Sequence, residues 1–151
     1  MKHLFLFAAL IGSSTTVKAQ TAEDSIKLTI IKLFDAMKAG DAAMIRSAFT
    51  DSAILQSVGP DRKTGKVQIE NEVVSDFAEF VSKQPKGAAD EQITFDVIKI
   101  DGPLAMVWAP YKFFFKGVFS HCGVDSFQMV KLGNEWKIQY LIDTRRTKGC
   151  E

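Results

Sequence analysis

The residue best placed to do chemistry in this chain is Asp125. It lies two residues before Phe127 and four before Met129, in a segment from Gly123 to Leu132 that alternates as a strand does. The pair Gly133-Asn134 reads as a two-residue hairpin loop, so Leu132 is expected opposite Glu135 and Phe127 opposite Tyr140. Cross-strand partners share a sheet face. One face then carries Phe127, Met129, Trp136, Ile138, Tyr140 and Ile142, and is the buried one; Asp125 falls on it, opposite Ile142. His121 joins this face if the strand begins that early. Gln128, Lys137, Gln139, Asp143 and Arg145 are expected on the other face, with Val130 and Leu141 among them.

A carboxyl on an apolar wall is costly to ionise, so its pKa rises unless a cation or several donors compensate. Beside a tyrosine hydroxyl or an imidazole it could pass protons to and from a bound molecule. The preceding strand supplies such a neighbour. Val107, Ala109, Tyr111, Phe113 and Phe115 alternate onto one face, and Met106, Trp108, Lys112 and Lys116 onto the other. The candidate ligand-binding set is therefore Tyr111, Phe113, His121, Asp125, Phe127 and Tyr140, with Asp125 and His121 the candidate catalytic groups. No second carboxylate is read on the inner face, which argues against an isomerase built from a base and an oxyanion donor. The plainer readings stand beside these. Asp125 serves as a structural acid bonded to backbone or to a tyrosine, His121 as a rim residue, Phe113-Phe114-Phe115 as core plus interface, and Arg145-Arg146 as a solvated strand end.

These strands need helices to close the cavity. Ile26, Ile30, Leu33, Phe34 and Met37 recur at helical spacing between Thr21 and Ala39, and Gly40 stops the helix. Asp41 caps a short second helix from Ala42 to Phe49, followed by a strand from Ser52 to Val58 and a turn-rich loop from Gly59 to Gly65. A third helix is predicted over Val67 to Ser82, with Ile69, Val73, Phe77, Phe80 and Val81 as its apolar stripe. Then come strands: Ile93, Phe95 and Val97 alternating, a turn at Asp101-Gly102-Pro103, and one long strand region from Leu104 to Phe119 interrupted at Pro110. Helices first and antiparallel strands after mean an α+β domain.

This order, with a short strand between the second and third helices, resembles the nuclear transport factor 2-like superfamily. The closing stretch from Gly123 to Ile138, GVDSFQMVKLGNEWKI, is similar to the last hairpin of its small exported members, described as "putative lumazine-binding" or SnoaL-like proteins. The resemblance covers nearly all of the chain after its first twenty residues. It implies a cystatin-like cone, with three N-terminal helices packed on a strongly curved, mostly antiparallel sheet around an apolar pocket. The superfamily includes isomerases, dehydratases, cyclases and non-catalytic modules, so the fold alone assigns no activity.

The chain opens with Met1-Lys2-His3, an apolar run from Leu4 to Ile11, and Gly12 to Gln20 rich in small residues. This pattern is that of a secretory signal peptide over residues 1–19, cut after Ala19. It makes the protein periplasmic or secreted, with the domain over 20–151 and no membrane residence after cleavage. Two cysteines follow, Cys122 and Cys150. In an oxidising compartment they are expected to form a disulfide; a shared metal is the rival, weakened by the spacing and the lack of nearby histidines. The hairpin register sets Cys122 opposite Arg145, a few residues before Cys150. Nineteen basic against eighteen acidic residues leave no basic stripe for a nucleic acid. The composition calls for no cofactor and no metal. An outward Trp108 with Met106 suggests a homodimer. The leading expectation is a domain that binds a small apolar or aromatic molecule. The alternatives are an isomerase, dehydratase or cyclase using Asp125 with His121 or a tyrosine, and a structural homodimer whose aromatics fill the cavity.

Overall fold

The computed structural model describes residues 21–150 apart from Arg62. The leader expected over 1–19 lies outside the described residues. Helix α1 spans Ala22–Ala39. Thr21 caps it through a reciprocal capping box with Asp24, and Gly40 ends it in the left-handed conformation, φ 69°. Its buried stripe is Ile26, Ile30, Leu33, Phe34, Ala36 and Met37, at the spacing expected. The Asp41 side chain accepts from the Met44 amide and caps α2, Ala42–Ser47. Phe49, placed at the end of α2 from the sequence, instead opens strand β1, Phe49–Pro60.

The predicted third helix is corrected in its first half. Residues Val67–Glu72 form strand β2, paired antiparallel with β1 from Leu55↔Glu72 to Pro60↔Val67, and α3 is only Val74–Ser82. Ile69 and Val73 are therefore exposed, and Ala78 and Val81 carry the buried side of α3. Val67 and Ile69 are β-branched, and the backbone groups of β1 offer them a ladder. That long-range pairing overrode a helical spacing of only two or three positions.

The remaining strands are β3 (Ala89–Ile93), β4 (Val97–Asp101), β5 (Leu104–Phe115), β6 (Val118–Leu132) and β7 (Glu135–Thr144). They join β1 and β2 in one seven-stranded sheet of order β2-β1-β7-β6-β5-β3, with β4 also paired to β5. Every pairing is antiparallel except β1 with β7. The fold is thus α+β, three helices on a large, curved, mostly antiparallel sheet, as the sequence led us to expect. Pro110 does not interrupt β5: it sits in register opposite Val124, and its carbonyl accepts from the Thr94 amide at 2.9 Å. The break comes later, at a two-residue turn of Lys116 (φ 53°) and Gly117 (φ 78°) that separates β5 from β6. Positive φ at both positions gives the turn the twist a tight hairpin needs.

One core fills the space between α1 and the inner sheet face. Phe127 is its largest fully buried side chain, edge-on to Phe34 at 6.4 Å, with Ile30, Leu33, Val107, Met129, Trp136 and Ile138 around it. Cys122 and Cys150 form a disulfide, with Cα atoms 5.7 Å apart. It folds the tail back beside the bridge between Cys122 and Arg146. Arg146 thus takes the place expected of Arg145 opposite Cys122; the one-residue difference comes from a bulge in β7.

Candidate functional site

That bulge decides what the inner face contains. The hairpin starts as predicted, with Leu132↔Glu135 and Met129↔Ile138, but Gln128 pairs with Tyr140, leaving Gln139 as an extra residue in β7. Gln139 has its own partners there, accepting from Thr50 Oγ1 at 2.8 Å and donating to the Ser52 carbonyl at 3.2 Å. Beyond it the alternation of β7 is inverted. Leu141 and Asp143 turn inward and are buried, while Tyr140 turns outward and donates its hydroxyl to Gln56 Oε1 at 2.6 Å. Asp125 faces Asp143 rather than Ile142.

The inner face therefore holds carboxylates that the regular register hides. A cavity of about 410 Å³ opens between α1, α3 and the sheet. Its apolar wall includes Leu33, Phe34, Phe77, Val81, Phe113 and Leu141, and its polar wall includes Glu91, His121, Asp125, Asp143 and Arg145. Glu91 reaches it because it pairs with Phe113 across β3 and β5, and partners share a face. The expectation of a single inner carboxylate is thus overturned by Glu91 and Asp143. Glu91 was within reach of the sequence, since it stands two residues before Ile93 on the same alternation. Asp143 was not, since nothing in the residues around Gln139 announces the bulge.

The predicted site residues separate into three groups. His121, Asp125 and Phe113 line the cavity. Tyr111 lies behind the wall, buried, and its hydroxyl donates to Asp143 Oδ2 and to the Thr144 carbonyl, each at 2.9 Å. Phe127 belongs to the core beneath, and Tyr140 is on the opposite side of the sheet. Gly123 lets Tyr111 reach its partners. A side chain there would meet the Thr144 carbonyl oxygen at 1.7 Å and Tyr111 Cε1 at 2.8 Å.

The electrostatics divide along the same wall. Asp143 Oδ2 accepts from Arg145 Nε at 2.9 Å as well as from Tyr111, so this carboxylate is matched by a cation and a donor. Burial raises the Tyr111 hydroxyl far above its usual range, with the Asp143 charge adding to the effect, so it stays a donor. Burial of Arg145 works against its charge, yet Asp143 more than offsets this and holds the guanidinium protonated. His121 is lowered by burial and by Arg145, which favours the neutral imidazole. Its ring packs edge-on to Tyr111 at 5.7 Å and tilted on Phe113 at 5.1 Å, with Ser120 Oγ 3.0 Å from Nδ1.

For Asp125 and Glu91 the Arg145 charge offsets only part of the cost of burial. Asp125 is 3 % exposed, and its Oδ2 meets no protein donor. Its near neighbour is the Glu91 carboxyl, and two carboxyls can hydrogen-bond only through a proton on one of them. Burial pushes Asp125 well above the ordinary carboxyl range, reinforced by the charges of Glu91 and Asp143. Glu91 is pushed up to about 7, again by burial first. Burial and mutual charge thus favour one proton between the two carboxyls. Among the described residues no three His, Cys, Asp or Glu side chains are disposed to hold a metal ion.

The family described as "Putative lumazine-binding" matches residues 21–140, from the N-cap of α1 to the Gln139 bulge. The chain belongs to this family. Its name suggests binding of a small molecule, consistent with a cavity between helices and sheet. Solved structures support the same fold at low identity. An NTF2-like protein of unknown function from Shewanella baltica OS155 is 15 % identical, with a TM-score of 0.64 over 86 % of this chain and 100 % of its own. A domain of unknown function with a cystatin-like fold from Nostoc punctiforme PCC 73102 is 16 % identical, with a TM-score of 0.66 over 87 % of this chain and 82 % of its own. An NTF2-like protein of unknown function from Methylobacillus flagellatus KT is 18 % identical, with a TM-score of 0.63 over 89 % and 100 %. No curated protein matches the chain. These structures share the fold, and the chemistry of this chain rests on its own residues.

Proposed function

We propose that the domain over residues 20–151 is an exported small-molecule-binding module that takes an apolar or aromatic ligand inside the cone. The cavity carries this reading. Its volume of about 410 Å³ lies within the usual range for small-ligand pockets, and a few polar groups gather on one side of an apolar wall. The disulfide fits an oxidising compartment. No helix among the described residues is long and apolar enough to cross a membrane. Native mass spectrometry of protein purified without denaturation tests the reading. A retained small molecule, lost on unfolding, is the expected result. An empty cavity, with no melting shift across a library of aromatic and heteroaromatic compounds, would overturn it.

A second reading is favoured by one observation, the Asp125 and Glu91 carboxyls together on the cavity wall. A carboxylate that titrates near neutrality beside a protonated carboxyl suits general acid–base chemistry of the isomerase or dehydratase kind. His121, neutral on the same wall, would act as a second donor or acceptor. A purified protein that leaves every retained or screened ligand chemically unchanged argues for the binding module alone. The outward face of β5 and β6 carries Leu104 and Trp108, exposed, with Met106 half-buried between them and Val130 half-buried opposite Leu104. We assign this face to a homodimer, and sedimentation velocity showing a monomer at all concentrations would remove that assignment.

A further inference from the structure

Glu91 and Asp125 stand on the cavity wall without a cation of their own. Arg145 is the only arginine or lysine among the residues lining it, and it is already committed to Asp143. The charged and titratable groups facing the pair are Asp143 and Arg145 from β7, Tyr111 from β5, His121 from β6 and Glu72 from β2. Helices α1 and α3 present only Leu33, Phe34, Met37, Phe77, Phe80 and Val81. The wall therefore holds an excess of negative charge, and one buried acceptor, Asp125 Oδ2, has no protein donor. In the empty cavity a proton between the two carboxyls meets that need. An N–H⁺ group from a ligand would meet it better, because it brings charge as well as donors.

We propose that the ligand is an amphiphilic cation, a compact aromatic or apolar body carrying one protonated nitrogen, which docks on the Glu91–Asp125 pair and donates to Asp125 Oδ2. This rests on the cavity being a small-molecule site and adds the chemical class. The aromatic rings of Phe34, Phe77 and Phe113 suit the body, and ring faces near the nitrogen favour its charge. A neutral ligand would leave the pair holding its proton. An anion would meet the negative charges of Glu91 and Asp143 and be repelled.

Displacement of a proton gives the proposal a signature. Glu91 loses its own proton as the pH passes about 7, which leaves one proton between the two carboxyls, and the cation takes that proton's place. Affinity for the cation then rises with pH across neutrality, and binding releases a proton. A neutral ligand shows neither effect.

The test uses the disulfide-bonded protein and three matched probes: 2-naphthylmethylamine, 2-naphthylmethanol and 2-naphthoate. Isothermal titration calorimetry in two buffers of different ionisation enthalpy, at about pH 6 and about pH 8, reads affinity and proton release together. The expected result is that the ammonium probe binds about tenfold or more tighter than the alcohol, as a charge-assisted hydrogen bond in a buried site provides. Its advantage over the alcohol grows with pH and disappears in Asp125→Asn and in Glu91→Gln. Thermal melts verify that both variants fold, and either one alone suffices. If the alcohol or the carboxylate binds as tightly as the ammonium, the cation assignment is overturned while the cavity stands. If none of the three binds, both the cation assignment and the cavity reading fall.

Discussion

Asp125 and Asp143 stand directly opposite each other across β6 and β7, on the buried face of the sheet. Like charges in that position repel, and here the repulsion is managed unequally: Asp143 takes Arg145 and Tyr111, and Asp125 takes a proton. Changing Asp143 to Asn removes a negative neighbour and frees the Arg145 charge. Both effects lower the titration of the Asp125–Glu91 pair. Carboxyl-carbon NMR of the pair should show this downward displacement relative to the wild type. An unmoved titration would mean that burial alone sets the pair.

The pair also links stability to pH. A carboxyl raised in the folded state holds a proton that the unfolded chain would release, so its contribution is full below the unfolded-chain value of about 4 and is lost as the pH climbs through the folded value. For Glu91 that loss runs from about 4.5 and is complete once the pH has passed about 7. Exposed carboxylates such as Asp61 and Glu79, lowered by hydrogen bonds from Thr64 and Lys83, tilt weakly the other way, and they are common to both proteins compared. Asp125→Asn keeps the shape and supplies an N–H to Glu91. It should leave stability near pH 5 little changed and raise it by on the order of 1 kcal/mol or more near pH 8. Urea melts at the two pH values measure this; a variant less stable at both would contradict it.

Gly123 should resist any side chain. The β-carbon of alanine would overlap the Thr144 carbonyl and the Tyr111 ring, so Gly123→Ala must spread β6 from β7 or swing Tyr111 off Asp143. A loss of at least about 2 kcal/mol is expected in chemical denaturation. Tyr111→Phe probes the hydroxyl separately. It should cost about 1.5–3 kcal/mol, since the lost bond is to a charged group, and should leave the fold intact by circular dichroism. Equal stability of the Tyr111→Phe variant and the wild type would show that Arg145 alone satisfies Asp143.

The disulfide should matter for stability and for the site together. It closes a loop of 28 residues in sequence separation that contains most of β6 and all of β7. Replacing both cysteines by serine is expected to lower stability by about 2–4 kcal/mol. Cys122 adjoins His121, and Arg146 adjoins Arg145, so the variant should also bind the ammonium probe more weakly even below its melting temperature. Unchanged affinity at a temperature where both proteins are folded would limit the disulfide to stability.

Much of this architecture was legible in the residues. The α1 stripe and Gly40 stop, the Asp41 cap, the Gly133-Asn134 turn and the inward alternation of Tyr111, Phe113, Asp125 and Phe127 are all local patterns, enforced by the period of one element or the geometry of one turn. Two local readings failed because a distant partner decided the outcome. Val67–Glu72 became a strand because β1 lay beside it, and β5 ended at Lys116-Gly117 rather than continuing to Phe119.

By itself, the sequence determined that this chain is a helix-then-strand α+β domain with Asp125 on a buried wall. Only the tertiary structure decided what Asp125 faces. One extra residue at Gln139, held by Thr50 and Ser52 from β1, inverts every side chain after it, because side chains alternate with a period of two and a one-residue slip exchanges the faces. Tyr140 thereby left the cavity, Asp143 and Arg145 entered it, and a lone acid became part of a proton-sharing cluster.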